Sequence, residues 1–232
     1  MIAPDLDALD VRGRTIAYRL REGSSPTLVF LPGYASDMDG TKALALDAFA
    51  QRRGPALLRL DYSGTGSSGG RFEDGTLTLW LEEALAAVDR LTKGPLIVVG
   101  SSMGGWIALH LALLRPERVA ALVGIAAAPD FTDWGFADGA TAERHGLARG
   151  FWESGQQLLL LDKAIEIGCP VRLIHGEADE EVPLDVAFRL MRVLRSPDVQ
   201  LNVLKGGGHR LSEPRDIDAI VRTVANLLEP AP

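Results

Sequence analysis

The chain has 232 residues, 47% hydrophobic and 24% charged, with 25 Gly, 13 Pro and a formal charge of −7. A chain of this length can bury a sizeable core without disulfides, and its Gly and Pro content is too low for a disordered or low-complexity protein. The acidic balance argues against nucleic acid as a partner, because phosphate binding needs an excess of Lys and Arg. The lone cysteine, Cys169, excludes an internal disulfide and reads as a small buried residue.

The first residues carry acids and no apolar segment of the kind a secretory signal needs. The longest apolar run, 119–128, is broken by Gly124 and falls short of a membrane span. Neither stable membrane insertion nor secretion is therefore expected, and a reducing cytoplasm is the expected setting. Residues 15–20 (TIAYRL) alternate and predict a half-exposed edge strand. Apolar runs then recur at 27–31 (TLVFL), 56–60 (ALLRL), 96–100 (LIVVG), 121–125 (ALVGI), 171–175 (VRLIH) and 199–204 (VQLNVL). Runs apolar at nearly every position are how strands covered on both faces read. Helical patterns fill the gaps at 42–53, 77–91, 104–114, 184–194 and 216–228; Leu77, Trp80, Leu81, Ala84, Leu85, Val88 and Leu91 form one buried stripe. The alternation predicts an α/β fold with a mostly parallel, doubly wound sheet, in which ligands sit beyond the carboxyl ends of the strands. Residues 130–167 break the rhythm. They carry Trp134, Phe136, Phe151, Trp152 and four consecutive leucines from Leu158 to Leu161, and are expected to form a small cap on a single domain.

The strand-end residues carry the chemistry. Gly100-Ser101-Ser102-Met103-Gly104-Gly105 joins a predicted strand to a predicted helix. This G-x-S-x-G spacing holds a serine at a sharp turn, with Ser102 at its apex and Ser101 as the lesser rival. A serine needs a base. His110 reads as a packed helix residue, His145 as solvated, and His175 as part of a strand end; His209 lies in a loop beyond the last strand, after Lys205-Gly206-Gly207-Gly208. The acid is expected after the penultimate strand, where Asp179 is best placed, Glu177 is second, and Glu180 and Glu181 read as solvated turn charges. Its role would be to accept from His209 Nδ1–H. Two backbone amides are expected to hold an oxyanion, Met103 and Tyr34, the latter in the Leu31-Pro32-Gly33-Tyr34 loop. The loop at 61–70 is glycine-rich but lacks a Gly-Lys-Ser/Thr ending, so it reads as support for the site. No cofactor or metal is expected.

These motifs together resemble the α/β-hydrolase superfamily, from about residue 15 onward. Phe30-Leu31-Pro32-Gly33-Tyr34, Gly40-Thr41-Lys42-Ala43, Asp61-Tyr62-Ser63-Gly64, Gly100–Trp106, Arg115-Pro116-Glu117 and Val182-Pro183 are similar to the palmitoyl-protein thioesterases of the abhydrolase-domain type, a group that includes acyl-glucuronide cleavage. The resemblance implies catalytic Ser102, Asp179 and His209. It implies an esterase for small to medium acyl chains or, as the alternative, an S-acyl thioesterase acting on small thioesters or S-acylated proteins. A binding protein on a retired hydrolase scaffold is the reading from another class. The similarity is poor at 130–167, where substrate preference would be set.

Overall fold

In the computed structural model, which describes residues 4–229, the apolar runs form strands and the amphipathic stretches form helices. The order is β1 (Asp7–Val11), β2 (Arg14–Arg21), β3 (Ser24–Leu31), α1 (Thr41–Arg53), β4 (Pro55–Leu60), α2 (Leu77–Leu91), β5 (Leu96–Ser101), α3 (Met103–Leu114) and β6 (Val119–Ile125). Three short helices follow, α4 (Phe131–Trp134), α5 (Gly139–Arg144) and α6 (Arg149–Gln156), then β7 (Val171–Gly176), α7 (Leu184–Val193), β8 (Val199–Leu204) and α8 (Pro214–Leu228).

The strands make one sheet in the order β1-β2-β4-β3-β5-β6-β7-β8. β1, β2 and β4 pair antiparallel, and from β4 to β8 all pairs are parallel. Successive side chains of a strand point to opposite faces, and here both faces are buried. Leu28 and Phe30 of β3 join Leu46, Phe49, Ile220 and Val224 beneath α1 and α8. Val29 and Leu31 join Trp80, Val88, Trp106 and Leu109 beneath α2 and α3. From β3 the chain steps outward to β4, then returns to β5 on the other side of β3. The carboxyl ends of β3 and β5 therefore flank a point where strand order reverses, the place such sheets reserve for ligands.

One strand assignment needs correcting. The edge belongs to β1, and β2, predicted as the edge, is enclosed between β1 and β4. β1 has only five residues, with Asp7, Ala8 and Asp10 exposed and only Val11 buried, so it lacks an apolar signal. Its hairpin is set by Arg12 and Gly13, at φ 52° and 81°, two left-handed residues that match the twist of paired strands.

Segment 130–167 contains α4 to α6 and closes on itself at its base. Both carboxylate oxygens of the buried Asp130 accept from the Leu160 N–H, and one also accepts from the Leu161 N–H. Trp106 Nε1 and His110 Nε2, one turn apart on α3, both donate to the Leu158 carbonyl. Phe151 of α6 is fully buried against Trp80 and Tyr34, with ring centroids at 5.3 and 5.0 Å.

Candidate active site

β5 ends at Ser101 and α3 begins at Met103, which leaves Ser102 alone at the turn with φ 54° and ψ −120°. A residue with a Cβ pays about 1–3 kcal/mol for such a conformation, and it persists only where its surroundings enforce it. Two glycines do so. A Cβ at Gly100 would lie 2.2 Å from the Gly104 carbonyl oxygen, and one at Gly104 would lie 2.1 Å from that of Leu31. Strand, helix and the loop after β3 thus meet at a spacing that only glycine permits.

Ser102 Oγ lies 3.0 Å from His209 Nε2, and His209 Nδ1 lies 2.9 Å from Asp179 Oδ2. A carboxylate only accepts, so Nδ1 carries the hydrogen and Nε2 is left to accept from the serine hydroxyl. The chain thereby brings together three side chains separated by 107 and 30 positions. The Asp179 side chain is fully buried. Burial pushes its pKa up, but the His209 hydrogen bond, the Val182 and Glu181 amides and the charge of His209 outweigh it, leaving the carboxyl below its ordinary value.

The rival residues fall elsewhere. Ser101 is buried at the end of β5. Buried His110 donates to Leu158, and burial is the main cause that lowers its pKa. His145 is exposed and bonds Thr141 of its own helix. His175 is held by β7–β8 pairing; its Nε2 donates to the Val182 carbonyl and lies 3.5 Å from Asp179 Oδ2. Glu177 pairs with Lys205 and accepts from the Gly206 amide. Glu180 is exposed, and Glu181, 68% exposed, stands 3.7 Å from His209 Nε2.

The loop after β3 runs beside the serine, for a Cβ on Gly33 would lie 3.2 Å from Ser102 Cβ. The Tyr34 N–H belongs to this loop and the Met103 N–H opens α3; among the described residues neither donates to another group. The 61–70 loop supports this stretch. Buried Asp61 accepts from the amides of Met38 and Ser67, while buried Arg59 donates to the Met38 carbonyl, so both backbone polar groups of Met38 are held. The Tyr34 ring is fixed by edge contacts with Phe72, Phe131 and Phe151.

A cavity of about 670 Å³ opens on Ser102 and His209, walled by Tyr34, Phe131, Trp134 and Phe136. The leucine run does not line it: Leu160 and Leu161 are buried in the core. Lys42 and Arg210 also line the cavity. The sequence gives no signal for them, because a lysine in the first turn of an amphipathic helix reads as solvated. Among the described residues no group of three or more His, Cys, Asp or Glu is arranged to hold a metal, and no helix is long and apolar enough to cross a membrane.

A family model for the alpha/beta hydrolase fold matches residues 26–152, more than half the chain. This chain belongs to the α/β-hydrolase family. The match includes Tyr34 and Ser102, whereas Asp179 and His209 of this hydrolase lie beyond it. Human "palmitoyl-protein thioesterase ABHD10, mitochondrial" is 37% identical, over 92% of the hydrolase and 76% of the human protein. The structure of mouse alpha/beta hydrolase domain-containing protein 10 superposes with a TM-score of 0.90 at 34% identity, covering 97% of the hydrolase and 98% of the mouse chain. Est1E from Butyrivibrio proteoclasticus, solved with ferulic acid bound, has a TM-score of 0.83 at 21% identity over 96% and 97% of the two chains, a likeness of fold alone.

Proposed function

We propose that this α/β-hydrolase cleaves acyl esters and thioesters through an acyl-enzyme on Ser102. The observation that carries the reading is the continuous hydrogen-bonded relay from Ser102 Oγ through His209 to Asp179. Ser102 Oγ attacks the substrate carbonyl carbon as His209 Nε2 takes its proton, and Asp179 stabilises the imidazolium while fixing the tautomer. The carbonyl electron pair moves onto oxygen, where the Tyr34 and Met103 amides would hold it. When the tetrahedral intermediate collapses, the alcohol or thiol leaves with the proton from His209. Water then attacks the acyl-enzyme, giving its proton to His209, and the acid departs as Ser102 regains the hydrogen.

Two observations support acyl substrates of some bulk. The cavity is walled by aromatic side chains of α4 and the loop after it, which we read as part of a small cap at 130–167 over a single domain. The relatives at 36–37% identity carry thioesterase in their names, which favours S-acyl thioesters, on small molecules or proteins, over the carboxylesters of small to medium acyl chains first expected. We place the hydrolase in a reducing cytoplasm, a setting its lone cysteine supports; the relatives' names carry a mitochondrial address instead.

The test is a series of p-nitrophenyl esters and matched acyl thioesters of increasing chain length, run on the wild type and Ser102→Ala, together with fluorophosphonate labelling. Turnover and labelling in the wild type only, with higher kcat/KM on thioesters, is the expected outcome. Full turnover by Ser102→Ala removes the proposed nucleophile. A wild type that neither labels nor turns over leaves the binding-protein reading.

A further inference from the structure

His209 is delivered by a loop with little stiffness of its own, since three glycines precede it. Two residues after it the backbone is strained: Leu211, a residue with a branched side chain, has φ 42°. Non-glycine residues hold such a conformation only when their surroundings over-determine it. One restraint is visible in the core, where the Leu211 side chain is buried with Ala43, Leu46, Ile220 and Val224. The other comes from α1. Lys42 Nζ donates to the Arg210 carbonyl at 2.5 Å, a bond across 168 positions onto the peptide that joins Arg210 to Leu211.

This lysine is half-buried. Burial and the neighbouring Arg210 charge both push its pKa down, against a weaker opposing pull from Asp216. Among the described residues no carboxylate forms an ion pair with it, and its hydrogen bond is to that backbone oxygen. What the ammonium supplies is a charge-assisted hydrogen bond, about twice as strong as a neutral one, to the residue next to the proposed base.

We infer that Lys42 is a positioning residue: from α1 it struts the Arg210–Leu211 peptide and so keeps the His209 imidazole in line between Ser102 and Asp179. The inference rests on the reading of Ser102 and His209 as the acyl-transfer pair. It gives the N-terminal turn of α1 a function separate from substrate contact, and accounts for a lysine in the wall of a cavity whose lining mixes aromatic and polar side chains. Without the strut only the buried Leu211 side chain restrains the peptide in its left-handed conformation, and partial relaxation carries the imidazole away from a 3.0 Å contact. Misplacement by about 1 Å at a reacting group can cost on the order of 100-fold in rate.

The test compares wild type, Lys42→Met, Lys42→Arg and Lys42→Gln on an uncharged p-nitrophenyl ester, so that a lost attraction between lysine and substrate cannot enter. Wild-type turnover and fluorophosphonate labelling are measured first; if both are absent, the underlying reading of Ser102 fails rather than the strut. In an active enzyme, Lys42→Met is expected to lower kcat and the labelling rate together by about ten- to a hundredfold, with KM unchanged. Lys42→Arg, which keeps charge and reach, recovers most of the loss, and Lys42→Gln, a shorter neutral donor, recovers little. If Lys42→Met does not fold, the Arg and Gln variants alone carry the comparison. A folded variant lacking the ammonium that keeps wild-type kcat overturns the inference, as does a rise in KM alone.

Discussion

The contact between Gly104 and the loop after β3 allows a sharp test of how the two amides proposed to hold the oxyanion are kept in place. Replacing Gly104 with Ala puts a methyl group 2.1 Å from the Leu31 carbonyl oxygen, 2.5 Å from that of Pro32 and 2.7 Å from the Leu31 carbonyl carbon. All three are backbone atoms, so no side chain can swing aside. To reach an ordinary contact of 3.4 Å the loop must retreat by about 1.3 Å. Two residues on, the same loop carries the Tyr34 N–H, and α3 is held on its other side by Gly100. The displacement therefore falls on the gap between the Tyr34 and Met103 amides. Losing one oxyanion donor costs about 10²–10³ in kcat, and overpacking a close contact costs about 1–3 kcal/mol of stability. The assay is kcat and KM on a p-nitrophenyl ester beside a thermal melt. Gly104→Ala is expected to remain folded with a lowered Tm and to lose about 10²-fold in kcat. Gly105→Ala is the control: its methyl meets the Ala127 side chain at 2.6 Å, away from the loop. It should lose stability and keep most of its kcat. A folded Gly104→Ala enzyme with kcat within about threefold of wild type would refute the reasoning.

Two further outcomes are expected. Asp179→Asn leaves His209 without an acceptor that fixes its tautomer, and kcat should fall on the order of 10⁴-fold. Because the folded Asp179 carboxyl sits below its ordinary value of 3.8, its contribution to stability is complete above that value and lost as the pH falls through the lower folded one. The wild type should accordingly lose Tm on acidification below about pH 4, and Asp179→Asn should lose less; equal acid limbs would remove Asp179 as a source of the dependence. Trp134→Ala widens the aromatic wall, and the ratio of kcat/KM for long over short acyl chains should rise by about tenfold, since one methylene in an apolar pocket is worth about 1–3 kcal/mol. An unchanged ratio would place the acyl chain elsewhere.

What was legible in the sequence follows from which interactions are local. The parallel strands announce themselves because both of their faces are buried, so Leu96-Ile97-Val98-Val99 is apolar at every position and 0–1% exposed. Ser102 is legible because its strained turn needs glycines two positions away on either side, where the backbone packs too closely for a Cβ. His209 and Asp179 are legible through their position after strand ends, since the fold delivers those loops to one edge. β1 leaves no such trace, because a short edge strand owes its place to backbone pairing and a hairpin turn. Lys42 is invisible for a different reason: its partner is a carbonyl, a group that every residue has, 168 positions away.

Helix α3 joins these two kinds of information. Its first turn presents Ser102 and the Met103 amide, while Trp106 and His110, one turn apart further along, hold the Leu158 carbonyl at the base of segment 130–167. The opposite end of that segment is tied back by Asp130, whose carboxylate takes the Leu160 and Leu161 amides. Ser102 and segment 130–167 are thus anchored to the same rigid element, and Phe131 and Trp134, at the start of the segment, line the cavity with the serine. An acyl group entering the cavity meets a wall whose base cannot move without disturbing α3. Variation in specificity is then cheapest in the side chains of α4 and the loop after it, leaving the relay intact.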